Sequence, residues 1–159
     1  MHDRNHGFAT ALAWGAAAGA AGTTALNAVT YLDMVWRGRP ASSTPEESVE
    51  RLDARSPVHI PGDGEAREHR VAGLGPLLGI AAGVGTGVVL GLARAAGWRP
   101  PAPIAIAAAT AVALVAGNGP MTVLGVTDPR TWGASDWMSD VVPHVAYGAV
   151  TGSILAAST

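Results

Sequence analysis

The chain has no cysteine, no lysine and little charge of any kind. Without cysteine there is no disulfide, no thiolate metal centre and no sulfur nucleophile. Charged residues make up 14 % of the sequence, against about 25 % in ordinary soluble domains. The net charge is -2. No basic stripe exists to neutralise phosphates, which excludes a nucleic-acid partner. All ten basic residues are arginine, which we read as the base composition of the genome and not as a functional signal. No phosphate-binding loop, dinucleotide fingerprint or nucleophile elbow occurs. Gly83, Gly85 and Gly87 imitate part of such a fingerprint, but they lie inside an apolar run.

The shortage of charge is local. Eight of the twelve acidic residues and six of the ten arginines fall between Asp33 and Arg70. Four long segments carry no Asp, Glu, Lys or Arg: Asn5 to Leu32, Val71 to Ala93, Pro100 to Thr127 and Val141 to Thr159. A bilayer core about 30 Å thick needs about 20 helical residues. Backbone groups in lipid must pair internally, so each segment is read as a helix. None alternates with the period of a membrane strand.

The expected fold is therefore all-α. It is a single integral membrane domain of four helices, with spans at about 8–32, 71–93, 102–126 and 140–157 and an extramembrane segment at 33–70. Arg4 and the alanine-rich run from Phe8 could open a signal peptide. The run is long for that and three more follow, so it is read as a retained span.

Within the extramembrane segment, Thr44-Pro-Glu-Glu predicts a short helix. Thr44 would be its N-cap, Pro45 its first residue, and Glu47 would close a capping box. Val49 and Leu52 give it a small apolar edge. It reads as a solvated linker helix, with the membrane surface as the alternative resting place. Trp98, Trp132 and Trp137 stand beside the connections, where interface anchors are expected. Even-numbered spans put both termini on one side. That side holds Arg4, Arg94 and Arg99, and the other holds the remaining seven arginines. The positive-inside rule then places 33–70 in the cytoplasm and both termini outside.

Glycine is abundant where charge is scarce. Gly75, Gly79, Gly83, Gly87 and Gly91 recur every fourth residue along the second span. Such a row lets another helix backbone approach closely. Gly15 and Gly19 in the first span and Gly148 and Gly152 in the last offer matching faces. The expectation is packing within one chain, with a homo-oligomer or another membrane protein as the rival partner beside the lipid itself. Gly117-Asn-Gly-Pro interrupts the third span. Pro120 removes a helical hydrogen bond, so a kink or break is predicted there. Either Asn118 bonds a freed carbonyl, or the break lines a cavity as in transporters.

The polar residues gather at one level. Asp136, Asp140 and His144 are spaced i, i+4, i+8 on one helix face, with Tyr147 beside it and Pro143 between. Alternation of the spans brings Asn27 and Asp33 of the first span and Asp128 after the third to the same end. Ionisable groups inside a membrane are functional candidates. Asp140 and His144 could form a structural pair, a proton or ion pathway, or part of a metal site. The last has little support, because paired histidines, cysteines and an HExxH motif are absent. No cofactor is expected.

Two segments carry a family resemblance. They are Gly19-Ala-Ala-Gly-Thr-Thr-Ala-Leu-Asn-Ala with the following Arg37-Gly-Arg-Pro, and Asp140-Val-Val-Pro-His-Val-Ala-Tyr-Gly. In these the chain resembles small bacterial inner-membrane proteins of the YagU-like group, actinobacterial ones above all. The resemblance implies a multi-pass membrane protein. It brings no activity and no catalytic residue. The function expected is a structural or accessory membrane component, with a small proton, ion or solute conduit as the alternative.

Overall fold

The computed structural model describes residues 2–157, with side chains from residue 7 onward. The chain is all-helical, and no strand occurs among the described residues. Its helices are α1 (His2–Arg37), α2 (Thr44–Asp53), α3 (Gly64–Ala95), α4 (Ala102–Val123) and α5 (Ala134–Ala157), with a short 3-10 turn at Pro129–Thr131. The ends follow from local chemistry. Gly97 and Gly125 take left-handed φ values of 102° and 72°. The residues after them donate back into the last turn, Trp98 to the Ala93 carbonyl at 3.0 Å and Val126 to that of Met121 at 2.9 Å. That is the Schellman ending, which favours glycine at its left-handed position.

Helix α1 lies against α3 and α5, and α4 lies chiefly against α5. The α1–α3 contact is backbone on backbone. A Cβ added at Gly15 would stand 2.6 Å from the Gly87 carbonyl oxygen, one at Gly19 2.7 Å from that of Gly83, and one at Gly91 2.7 Å from that of Ala11. These three contacts run in antiparallel order, so α1 lies along α3 for at least two turns. The glycine row of α3 does not meet one partner throughout. Gly83, Gly87 and Gly91 face α1, Gly75 faces Pro45 and Glu46 of α2, and Gly79 has nothing within 4 Å. The α4–α5 contact uses the same device: a Cβ at Gly152 would stand 2.6 Å from Ile106 Cα, and one at Gly148 2.8 Å from the Ile106 carbonyl oxygen.

Several sequence expectations change in detail. Helix α4 runs unbroken from Ala102 to Val123, through Gly117-Asn-Gly-Pro. One missing donor at Pro120, near the C-terminal end, does not break it. The cap of α2 falls at Ser43, one residue earlier than expected, with Pro45 in the first turn. No side-chain capping bond forms; instead Ser43 Oγ donates to Glu47 at 2.6 Å. Helix α3 starts at Gly64, and α5 starts at Ala134, both ahead of the charge-free runs.

The linker helix is docked and not merely solvated. Ser48 and Val49 of α2 are buried, as is Val71 of α3. Arg67 of α3 donates to both oxygens of Glu50 at 2.7 Å and to Asp53 at 2.8 Å. Asp53 also accepts from the Ile60 backbone at 2.7 Å, tying down the connection. The Arg67 guanidinium holds the Glu50 carboxyl below its ordinary range. For Asp53 the Ile60 N–H is the larger cause and Arg67 the second.

Two outcomes follow. Gly87→Ala should destabilise the packed helices by about 1–3 kcal/mol, the usual cost of overpacking. Its Cβ would meet backbone that cannot move aside. Gly79→Ala should be neutral or slightly stabilising, because space is open there. Thermal unfolding of the two variants checks this. Secondly, carboxyls with depressed pKa stabilise the fold above their unfolded values, and lose that effect as pH falls through the folded ones. Docking of α2 should therefore be intact at neutral pH. It should fail only below the ordinary values of 4.5 for Glu50 and 3.8 for Asp53. Amide exchange across 44–53 against pH measures it, and Arg67→Gln should raise exchange at neutral pH.

Candidate functional site

The charged stretch of the chain ends where the long helices come together, and the polar residues divide at that boundary into three groups. The first joins α1 to α5 at their outer ends. Asp33 pairs with Arg37 at 2.8 Å and with Arg39 at 2.6 Å. Arg37 reaches across to α5, donating to Ser135 at 2.7 Å and also to Ser139. The hydrogen bonds from Arg37 and then Arg39 hold the Asp33 carboxyl below its ordinary range. Sequence reasoning singles out Asp33 but not Arg37, Ser135 or Ser139. Only the position of α5 against the end of α1 reveals their role.

The second group closes the α4–α5 connection on itself. Asp128 accepts from the Arg130 backbone at 3.1 Å and from its guanidinium at 2.8 Å. Arg130 thereby holds the Asp128 carboxyl low. Asp136 accepts from the Gly133 N–H at 3.0 Å, at the start of α5. Trp132 donates to Thr127 at 2.9 Å and meets Trp137 edge-on, with ring centroids 5.0 Å apart. Asp128 and Asp136 are held in turn and helix-start geometry; Asp136 lies on α5 one turn before Asp140, at the exposed end of the same face.

The third group lies deeper and is the candidate site. Asn118 Nδ2 donates to Asp140 Oδ2 at 2.8 Å, across from α4 to α5. His144 Nδ1 is 2.7 Å from the Asp140 carbonyl oxygen and 3.4 Å from its Oδ1. The His144 and Asp140 side chains are 14 % and 19 % exposed. A Cβ at Gly117 would stand 3.4 Å from His144 Nε2, so the glycine leaves room for the ring. Asn118 lies five residues before the end of α4 and Asp140 six after the start of α5. At 1.5 Å per residue both sit about 7–9 Å inside the helix ends.

One turn further in, the polar chemistry becomes structural. Tyr147 is fully buried and donates to the Gly83 carbonyl of α3 at 2.6 Å. Thr151, also fully buried, donates to the Ala18 carbonyl of α1 at 3.2 Å. Gly22 of α1 leaves the room that the Tyr147 ring and Thr151 fill. Tyr147 thus belongs to the core and not to the candidate site. Asn27 is half-buried on α1. Among the sequence candidates, the structure brings Asn118, Asp140 and His144 together and places the rest elsewhere. No group of three or more His, Cys, Asp or Glu able to hold a metal occurs among the described residues.

A scan against protein-family models and searches of curated proteins and of solved structures return no match.

Asn118→Ala removes the partner of a half-buried carboxylate and should destabilise by roughly 1.5–3 kcal/mol, the range for hydrogen bonds to charged groups. Tyr147→Phe loses one bond to a neutral carbonyl and should cost about 1 kcal/mol. Denaturant titration of the two variants under the same conditions tests that order. An equal loss in both would show that Asp140 draws nothing special from Asn118.

Proposed function

We propose that this chain is a multi-pass integral membrane protein with a structural or accessory role. Its membrane body would be a four-helix bundle of α1, α3, α4 and α5, with α2 outside. One observation carries the reading: two long apolar helices are largely uncovered. Helices α3 and α4 are long and apolar enough to cross a membrane, yet only 22 % and 17 % of their most apolar stretches are buried. In a soluble fold such helices form the core. Here Leu77, Ile80, Val89, Ile104 and Val115 are exposed, and a bilayer is the solvent that suits them.

Helices α1 and α5 do not meet the same threshold of apolarity. Helix α1 is rich in Ala, Gly and Thr, and α5 opens with Ser135, Asp136, Ser139, Asp140 and His144. Their placement supports counting them as spans. Helix α1 follows α3 glycine by glycine from Gly91 to Gly83, and α5 follows α4 at Gly148 and Gly152. Helices packed along spanning helices share their depth. Close glycine packing is also the means by which helices associate where water offers no hydrophobic drive. The location proposed is the bacterial plasma membrane, in keeping with the YagU-like resemblance. The 33–70 segment would be cytoplasmic and both termini outside, with a second copy or another membrane protein as the partner to look for.

The alternative, a small conduit for protons, ions or solutes, has the Asp140–His144–Asn118 group in its favour. Against it, Tyr147, Thr151 and Ala109 fill the interior beyond that group, each fully buried. Flux into protein-loaded liposomes that disappears with His144→Ala would reverse this preference.

The absence of cysteine makes the topology directly measurable. The chain should stay with membranes through an alkaline carbonate wash. Ser56→Cys should react with an impermeant maleimide only after the cells are opened, and Gly97→Cys before. Release by carbonate would overturn the membrane assignment. The reverse labelling pattern would invert the topology alone.

A further inference from the structure

Of the five tryptophans in the chain, three come to one level. Arg37 at the end of α1 donates to Ser135 and Ser139 of α5. Trp36 precedes Arg37, and Trp137 lies midway between the two serines, so both stand at the same height. Trp132 joins them, edge-on to Trp137 with ring centroids 5.0 Å apart. Trp36 is 90 % exposed, and Trp137 and its neighbour Met138 are exposed as well. Val29, Leu32 and Val35 continue the open face of α1 below Trp36.

The distance from this level to the other end follows from the helix register. Gly91 of α3 packs on Ala11 and Gly15 of α1. Trp36 lies 21 residues beyond Gly15, about 32 Å at 1.5 Å per residue. The same count along α3, which runs the other way, leads from Gly91 to Arg70, where charge resumes. In the opposite direction Trp98 follows the end of α3, exposed and close to Arg94 and Arg99 in the chain. It stands roughly 8 Å past Gly91, a turn of helix and the bend after it. The two tryptophan levels are therefore about 40 Å apart, the thickness of a bilayer with its interfacial zones. Tryptophan and tyrosine gather in those zones, where the ring has apolar surroundings and the polar tip has water.

We propose that Trp36, Trp132 and Trp137 form one lipid-facing belt, seated at the phospholipid headgroups of the leaflet on the arginine-rich side. This inference rests on the membrane reading. Val29, Leu32 and Val35 lie against acyl chains beneath the belt, and Trp98 takes the matching place in the other leaflet. The agreement of three independent marks carries it: the shared height of Trp36 and Trp137, the return of charge at Arg70, and the spacing to Trp98. The belt also sets the depth of two acids. Asp33 and Asp140 are each three residues inside it, about 4.5 Å. The interfacial zone is about 5–7 Å deep on each side, so both carboxylates fall within reach of headgroups and water, and the hydrocarbon begins below them.

The test uses the full chain in vesicles of phosphatidylcholine and phosphatidylglycerol. Three variants each keep a single tryptophan, Trp36, Trp137 or Trp14, with the other four changed to phenylalanine. The lipids carry bromine beside the headgroup or near the chain ends, and iodide is the aqueous quencher. Trp14 is exposed on α1 beside Gly15, inside both levels, and serves as the deeper reference. Trp36 and Trp137 should be quenched more by shallow than by deep bromine, in the same ratio, and only weakly by iodide. The ratio for Trp14 should shift toward deep bromine. Strong iodide quenching of Trp36 without an effect of either lipid would put the belt in water and overturn it. Stronger quenching of Trp36 by deep bromine would overturn it too. So would shielding of Trp36 from iodide and bromine alike, the result expected if a second copy covers this face. Should the single-tryptophan chains not fold, Trp36→Phe alone decides. The shallow-quenched part of the wild-type emission should fall in that variant, and unchanged quenching overturns the belt. If Trp14 also responds to neither lipid, the membrane reading falls together with the belt; if Trp14 is quenched, the belt alone falls.

Discussion

The contact between the backbones of α1 and α3 sets the register of the other long helices. Gly15 and Gly19 meet Gly83, Gly87 and Gly91 with no side chain between them, so neither helix can slide without forcing a Cβ into a carbonyl. The same missing side chains expose backbone acceptors. Tyr147 takes the Gly83 carbonyl and Thr151 that of Ala18, which fixes α5 against both helices. Gly148 and Gly152 then fix α4 on α5. Asn118 meets Asp140 only because these earlier contacts have set the height of α4. The polar group is the last consequence of a packing order that starts with glycine.

The molecule is asymmetric along its length. Toward Trp98 one short connection joins α3 to α4, and α1 lies close against α3 at Gly91. Toward the arginine-rich end α3 parts from α1, and between Pro76 and Ala81 every residue of α3 is exposed. What braces that end is charge. Arg67 clamps α2 onto α3, and Arg37 ties α1 to α5. Exposed ion pairs are individually weak and sensitive to salt. The glycine contacts are insensitive to both salt and pH. The two ends of the molecule therefore respond differently to acid, and the arginine-rich end loosens first.

Much of this is readable from the chain, for identifiable reasons. The absence of charge marks where the long helices run, and the fourfold glycine spacing marks which face of α3 is approached. The partners are less readable. A spacing of four is the same whether a glycine meets α1, α2 or open space, and Gly83, Gly75 and Gly79 do each of these in turn. The site is visible in pieces. Asp140 and His144 share a helix and a period, so their proximity follows from geometry. Asn118 stands out for a different reason, the proline two residues on, and its bond to Asp140 depends on the α4–α5 register. Arg37 and Arg67 do not stand out, because an arginine in a charged segment looks like any other until its acid is located. Helix α4 survives its Gly-Asn-Gly-Pro because only one donor is lost and the end of the helix is near.

The character of Asp140 bears on what the candidate site is for. A bond that only holds α4 to α5 needs no charge, since two facing amides would make it without the cost of desolvating an anion. Elsewhere the chain follows that economy. The deeper interhelical bonds use Tyr147 and Thr151, hydroxyls that donate to backbone carbonyls and bring no net charge. For Asp33 and Asp128 near the helix ends, it supplies Arg37, Arg39 and Arg130 in the same turn or the next. Asp140 breaks both habits, lying between the neutral bonds and the paired acids with an amide and an imidazole for company.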